Sequence, residues 1–142
     1  MRVEKSVSIG RPPAEVFSYV SDIRNDPNWH TDVLEASPST EPIAKGTVFT
    51  VKVKPSMGVS EGTMTVAEFE PPTRLVLHGR MGKMEPKLTY TFEPDGSGTR
   101  YTRVVEIQPP GVMKLMSPMM KMMIGKSNDG FLANLKRVLE AG

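Results

Sequence analysis

Between Val33 and Gln108 apolar side chains recur at every second position in short runs, and after Ser117 they recur at every third or fourth. A period of two belongs to a strand with one buried face, and a period near 3.6 to a helix with one buried stripe, so this switch restricts the fold more than any composition does. The runs are Phe49/Val51/Val53, Met64/Val66, Leu75/Leu77, Leu88/Tyr90/Phe92 and Tyr101/Arg103/Val105/Ile107, and the region reads as six strands. The breaks carry turn chemistry: Pro42 to Gly46, Pro55 to Gly58, Pro71-Pro72, Gly79 to Pro86 and Pro94 to Gly98. Sequential antiparallel pairing is the simplest consequence.

Two further segments flank this region. Val3, Val7 and Ile9 alternate as a first strand whose inner face Lys5 interrupts. Pro12-Pro13 then suits a first helical turn, where a missing amide hydrogen is no loss, and Val16, Phe17 and Val20 supply its stripe. Asp22 to Asn28 reads as a second brief helix or a turn, because Pro27 disfavours helical geometry at Asp26. At the other end, Ser117 as N-cap and Pro118 as first residue predict a helix to about Ala141, roughly 36 Å long at 1.5 Å per residue. Its expected inner face is Met116, Met120, Met123, Ser127, Phe131, Leu135 and Val138, with Gly125 and Gly130 allowing close approach or a bend. Strands in series closed by one long helix make an α+β order in a single domain, residues 1–142.

Charge and composition narrow the function classes. Eighteen basic and sixteen acidic residues leave a net charge of +2, evenly interspersed, which argues against a nucleic-acid partner. The absence of cysteine removes disulfides, thiolate ligands and a cysteine nucleophile, and makes a reducing cytoplasm the natural location. The N-terminus has no signal-peptide pattern, and no apolar run is long enough for integral membrane association. Phosphate loops, dinucleotide fingerprints, nucleophile elbows and His-Glu-x-x-His helices are all missing, so no cofactor is expected; two histidines and no clustered carboxylates argue against a metal.

The opening strand followed by Arg11-Pro-Pro-Ala-Glu-Val-Phe-Ser-Tyr-Val20, the Asp26-Pro-Asn-Trp29 segment before the second strand, and the terminal helix together resemble the START-like superfamily. Within it the chain is most similar to the small polyketide cyclase/dehydrase-like (SRPBCC-type) ligand-binding proteins, over nearly its whole length. The resemblance implies a helix-grip fold: a curved antiparallel seven-stranded sheet wrapped around a long C-terminal helix, with two short helices after the first strand. It also implies an apolar, lipid- or polyketide-like small molecule between sheet and helix, held by a monomer or homodimer. The alternative is a polyketide cyclase/dehydratase-type enzyme using acid and base residues in the same space.

Several residues are candidates to line that space. Six of the eleven methionines fall at positions 113, 116, 119, 120, 122 and 123, and methionine repacks around irregular apolar ligands. For Met116, Met120 and Met123, pocket wall and core are one face, while Met119 and Met122 point elsewhere, toward a strand edge, a partner or a membrane surface. Trp29 is either a cap at the mouth or an anchor tying the short helices to the sheet. His30 is the better placed of the two histidines; His78 shares neither Leu75's nor Leu77's face and reads as solvated. Tyr90, Tyr101 and Arg103 sit in register with apolar neighbours, and a buried arginine needs a partner, which Glu61 or a ligand carboxylate or enolate would supply. Phe49, Met64, Leu77 and Phe131 complete the expected ligand-binding set.

Overall fold

The computed structural model describes residues 1–56, 58–107 and 117–141. Strand β1 (Arg2–Ile9) leads into helix α1 (Pro13–Ser21) and a 3-10 helix (Ile23–Asn28). Six strands follow: β2 (Val33–Pro38), β3 (Val48–Ser56), β4 (Val59–Glu70), β5 (Arg74–Arg80), β6 (Lys87–Asp95) and β7 (Gly98–Glu106). Helix α2 (Ser117–Ala141) closes the described chain. The strands form one antiparallel sheet in the order β1-β7-β6-β5-β4-β3-β2, so consecutive strands pair except that β1 crosses over to β7. This is the helix-grip arrangement, and the strand count, the two short helices and the terminal helix stand where the periodicity puts them.

Register shifts interrupt the ladders at Val33/Glu35, between Lys52 and Ser56, and at Val66/Glu68. The first and third leave one residue unpaired, and the second sets residues 53–55 against residue 60 alone; such shifts bend a strand, which is how a long strand such as β4 curves. At the β6–β7 hairpin Asp95 pairs with Gly98 across a two-residue loop in which Gly96 has φ +61°, a conformation that glycine adopts without Cβ strain. At Gly98 a Cβ would collide with the Ile9 carbonyl, so the β1–β7 crossing requires a glycine there.

One face of the sheet holds the core. Val66 opposes Leu77, Leu77 opposes Leu88, Leu75 opposes Tyr90, and Phe92 opposes Tyr101, so the strands contribute their alternate residues to one interior. Phe17 of α1 seals one end through edge contacts with Phe69 and Phe92, at 5.3 and 5.0 Å between ring centroids. Helix α2 lies along β1 and the 3-10 helix. Its C-terminus is tied down there: Arg11 Nε donates to the Leu139 carbonyl at 2.8 Å, and the Glu140 carboxylate accepts from the Gly10 amide at 2.8 Å.

Phe92, Tyr101 and Leu135 are fully enclosed, and so are Phe49 and Leu77, with Leu88, Val105 and Met64 buried beside them; Met81 and Ile107 are half-buried at the margin. Arg103 lies between Tyr101 and Val105 on the inner face of β7.

Candidate functional site

The 3-10 helix positions half of the site. With three residues per turn, Ile23, Asp26 and Trp29 fall on one face, and all three are buried against the sheet. Asp22 starts the helix by accepting the Arg24 amide at 3.1 Å, and Arg24 bridges Asp22 and Glu41 at its surface. The Asp26 carbonyl then accepts both the Trp29 and the His30 amides, at 2.9 and 2.7 Å, which fixes the two rings inward. His30 stacks on Phe131 of α2 at 4.1 Å, and Asn134 Nδ2 donates to the Trp29 carbonyl at 3.2 Å.

Strands β6 and β7 supply the other half. Tyr90 and Arg103 are cross-strand partners, and Arg103 Nη1 donates to the Tyr90 hydroxyl at 3.1 Å. Only 4 % of Arg103 is exposed. Its guanidinium carbon lies 5.3 Å from the Tyr90 ring centroid and 5.7 Å from that of Trp29, both within reach of a cation–π attraction. Tyr101 meets Tyr90 and Trp29 edge-on, at 5.6 and 6.4 Å. No carboxylate comes within ion-pairing distance of this guanidinium among the described residues.

Within this cluster several buried polar atoms find no hydrogen-bond partner: Asp26 Oδ1, Trp29 Nε1, His30 Nδ1, the Tyr101 hydroxyl and Arg103 Nε, with Asn128 Oδ1 on the facing side of α2. Native interiors leave few such atoms, so their concentration in one place sets this region apart from ordinary core. Burial pushes the Asp26 carboxyl up to about 8, against the opposing pull of Arg103's charge. Burial, reinforced by the Arg103 charge, drives His30 well below its usual value. Burial likewise raises Tyr90 to about 12 and Tyr101 well above its ordinary value. For Arg103 burial acts downward, but Tyr90, Tyr101 and Asp26 in their ionised forms outweigh it and the net direction is up. At neutral pH the site therefore holds one cation, a largely protonated carboxyl, a neutral imidazole and neutral phenols.

The structure brings Trp29, His30, Tyr90, Tyr101, Arg103 and Phe131 together, and places Phe49, Met64 and Leu77 on the same inner surface across β3 to β5. One alternative is decided and three expectations change. Trp29 is fully enclosed between the 3-10 helix, the sheet and α2, so it anchors and does not cap a mouth. Glu61 is exposed on β4 and does not reach Arg103; the acid nearest in effect is Asp26. Met123 is 62 % exposed and turned away from the interior, because three four-residue steps back from Leu135 each overshoot a full turn by about 40°. The buried stripe instead runs through Asn128, Phe131, Leu132, Leu135 and Leu139, with Met120 half-buried. Finally, Cβ atoms at Gly125 and Gly130 would meet ordinary contact or open space, so neither glycine is required by proximity.

Met113 and Met116 lie outside the described residues. Met119 and Met122 are exposed beside Met123 on the first turns of α2, and His78 is solvent-facing on β5. Sequence reasoning misses Asp26 and Asn128. Among the described residues, no group of three or more histidine, aspartate or glutamate side chains is arranged to hold a metal, and no helix is long and apolar enough to cross a membrane.

The chain from residue 1 to 140 matches the family described as polyketide cyclase/dehydrase and lipid transport. No curated protein sequence matches it significantly. Among solved structures, the Thermus thermophilus protein TTHA0849 superposes with a TM-score of 0.79 at 18% identity, covering 99% of this chain and 98% of its own. A START superfamily protein from Mycobacterium smegmatis gives 0.75 at 16% identity, covering 99% and 97%, and Ara h 8.0201 gives 0.74 at 15%, covering 100% and 99%. At these identities the likenesses concern the fold.

Proposed function

Because this chain belongs to the polyketide cyclase/dehydrase and lipid transport family, we propose that it binds an apolar, lipid- or polyketide-like small molecule between its sheet and α2. The observation that carries this reading is the cluster of unpartnered buried polar atoms set into an otherwise apolar interior. A ligand site is mostly apolar with a few convergent polar groups, and that is the composition of this surface. A void of about 300 Å³ would cost roughly 7 kcal/mol if left empty, comparable with a domain's whole stability, so such a space is filled or its walls close in.

The test is native mass spectrometry of the purified protein followed by organic extraction. The expected result is a stoichiometric apolar molecule; a clean unliganded mass, with no uptake from an apolar extract of the expression host, would overturn the reading.

One observation favours a second reading, a cyclase- or dehydratase-type enzyme. Asp26 and His30 both belong to the buried polar cluster, and burial keeps the Asp26 carboxyl protonated near neutral pH and the His30 imidazole neutral, an acid and a base of the kind such chemistry uses. If the extracted molecule returns chemically unchanged after incubation with fresh protein at pH 7, the binding reading stands alone.

A further inference from the structure

Arg103 is a permanent cation with 4 % exposure, held in the interior by one phenol hydroxyl and two ring faces. Withdrawing a guanidinium from water costs several kcal/mol, and a neutral hydrogen bond plus cation–π contacts recover only part of that. Its Nε–H, the Trp29 Nε1–H and the Tyr101 O–H are donors without acceptors. Neighbouring polar groups do not help: Lys5 turns its ammonium out to the exposed Asp129 at 3.2 Å, and the Nδ2 of buried Asn128 donates to the Ile124 carbonyl at 2.7 Å. The contrast with the outer face is plain. In the external groove of about 490 Å³ across β4 to β6, Arg80 is already paired with Glu85 at 3.2 Å.

We propose that the ligand carries an acidic group, a carboxylate in the simplest case, which seats against Arg103 and accepts hydrogen bonds from the unpartnered donors of Arg103, Trp29 and Tyr101. This rests on the reading of the interior as a ligand site and adds the polarity and charge of what enters it. The acid supplies the counter-charge that Glu61 cannot reach and that no carboxylate of the described chain places within ion-pairing distance. It is also the group whose geometry matches a guanidinium edge, since a carboxylate offers two oxygens to parallel N–H donors. The apolar remainder of the ligand then packs against the inner-face side chains that adjoin the Tyr90–Arg103 pair, Val105 on β7 and its cross-strand partner Leu88 on β6.

The experiment compares dodecanoate with 1-dodecanol, which share a chain and differ in the head group, in titrations followed by the fluorescence of Trp29, the only tryptophan. At pH 7 the wild-type protein should bind the acid at least about tenfold more tightly, the range expected for a hydrogen bond to a charged group. Arg103→Met should bring the acid down to the alcohol's affinity while leaving the alcohol within about threefold of its wild-type value, and Arg103→Lys, which keeps the charge but loses the fork, should retain part of the preference. Equal binding of both probes by the wild type, or a preference that survives in Arg103→Met, overturns the acidic head group while the apolar-ligand reading stands. Loss of the preference in 0.5 M sodium chloride would give the subsite to a free inorganic anion and overturn it as well. Binding of neither probe would remove the apolar-ligand reading and this inference with it. The wild-type arms decide the matter even if a variant fails to fold.

Discussion

Replacing Asp26 with asparagine should stabilise the protein at pH 8 and leave its stability nearly unchanged at pH 4. Burial raises the folded-state value of this carboxyl to about 8, whereas the unfolded chain ionises near 3.9. Below pH 4 both states are protonated and Asp26 contributes no pH dependence. As the pH rises from 4 to 8 the unfolded state releases its proton while the folded state keeps it, so wild-type stability falls by about 1.4 kcal/mol per unit. Above pH 8 both states are ionised and the loss levels off. Over some four units the ceiling is on the order of 5 kcal/mol, a large share of a domain's total. The charged groups acting on Asp26 are Arg103, which favours ionisation, and Asp22, which opposes it. Urea unfolding of wild type and Asp26→Asn at pH 4, 6 and 8 reads the effect directly. Parallel curves at all three would show Asp26 to be ionised in the fold and would remove the protonated carboxyl from the site.

The double variant Arg103→Met/Tyr90→Phe should be more stable than wild type in the absence of ligand, by roughly 1–4 kcal/mol, the gain seen when buried charges give way to apolar residues of similar volume. It removes the interior cation together with the hydroxyl that serves it, so no polar atom is newly stranded. Tyr90→Phe alone should do the opposite: it leaves Arg103 Nη1 without its acceptor, at a cost of about 1–3 kcal/mol. Urea unfolding of all four members of the cycle isolates the coupling between the two side chains. A double variant less stable than wild type would mean that the guanidinium is well satisfied where it stands, and would undercut a ligand's role in satisfying it. With the expected sign, Arg103 is a residue kept at the expense of stability, as binding groups often are.

The architecture is legible in the chain because its signals are local and redundant. Each strand repeats the same alternation, and most breaks carry their own proline or glycine, so all seven strands and the long helix can be read from Val3 to Ala141. Most of the site is legible for the same reason: Tyr90, Tyr101 and Arg103 lie on strands whose inner face the neighbours define. Asp26 is not, because six residues containing Pro27 look like a turn, and only a three-residue period carries Ile23, Asp26 and Trp29 to one buried side. Met123 is misplaced by a small error that accumulates: steps of four residues along a helix drift around its axis, and Phe131 with Leu135 can fix the stripe only near their own turns. The partner of Arg103 is beyond sequence reasoning altogether. Glu61 lies on a strand of suitable type, but which strand stands beside β7 is a property of the whole sheet.

That sheet order bears on how the molecule forms. Strands β2 to β7 each pair with the strand before or after them, but among the described strands β1 pairs with β7 alone, joining Arg2 to Glu106 and Ile9 to Thr99. On the ribosome the first strand is therefore made long before the strand it pairs with, and waits through the synthesis of the others with its ladder groups bare. Closing that pairing spans most of the chain, a long-range contact of the kind that slows folding, and α2, which lies along β1, has no finished bed until it closes. The hydrophobic meander can assemble early, while the inner face of β7 gains its last flanking strand late. Arg103 is thus surrounded only near the end, when Lys5 arrives opposite it and α2 docks behind.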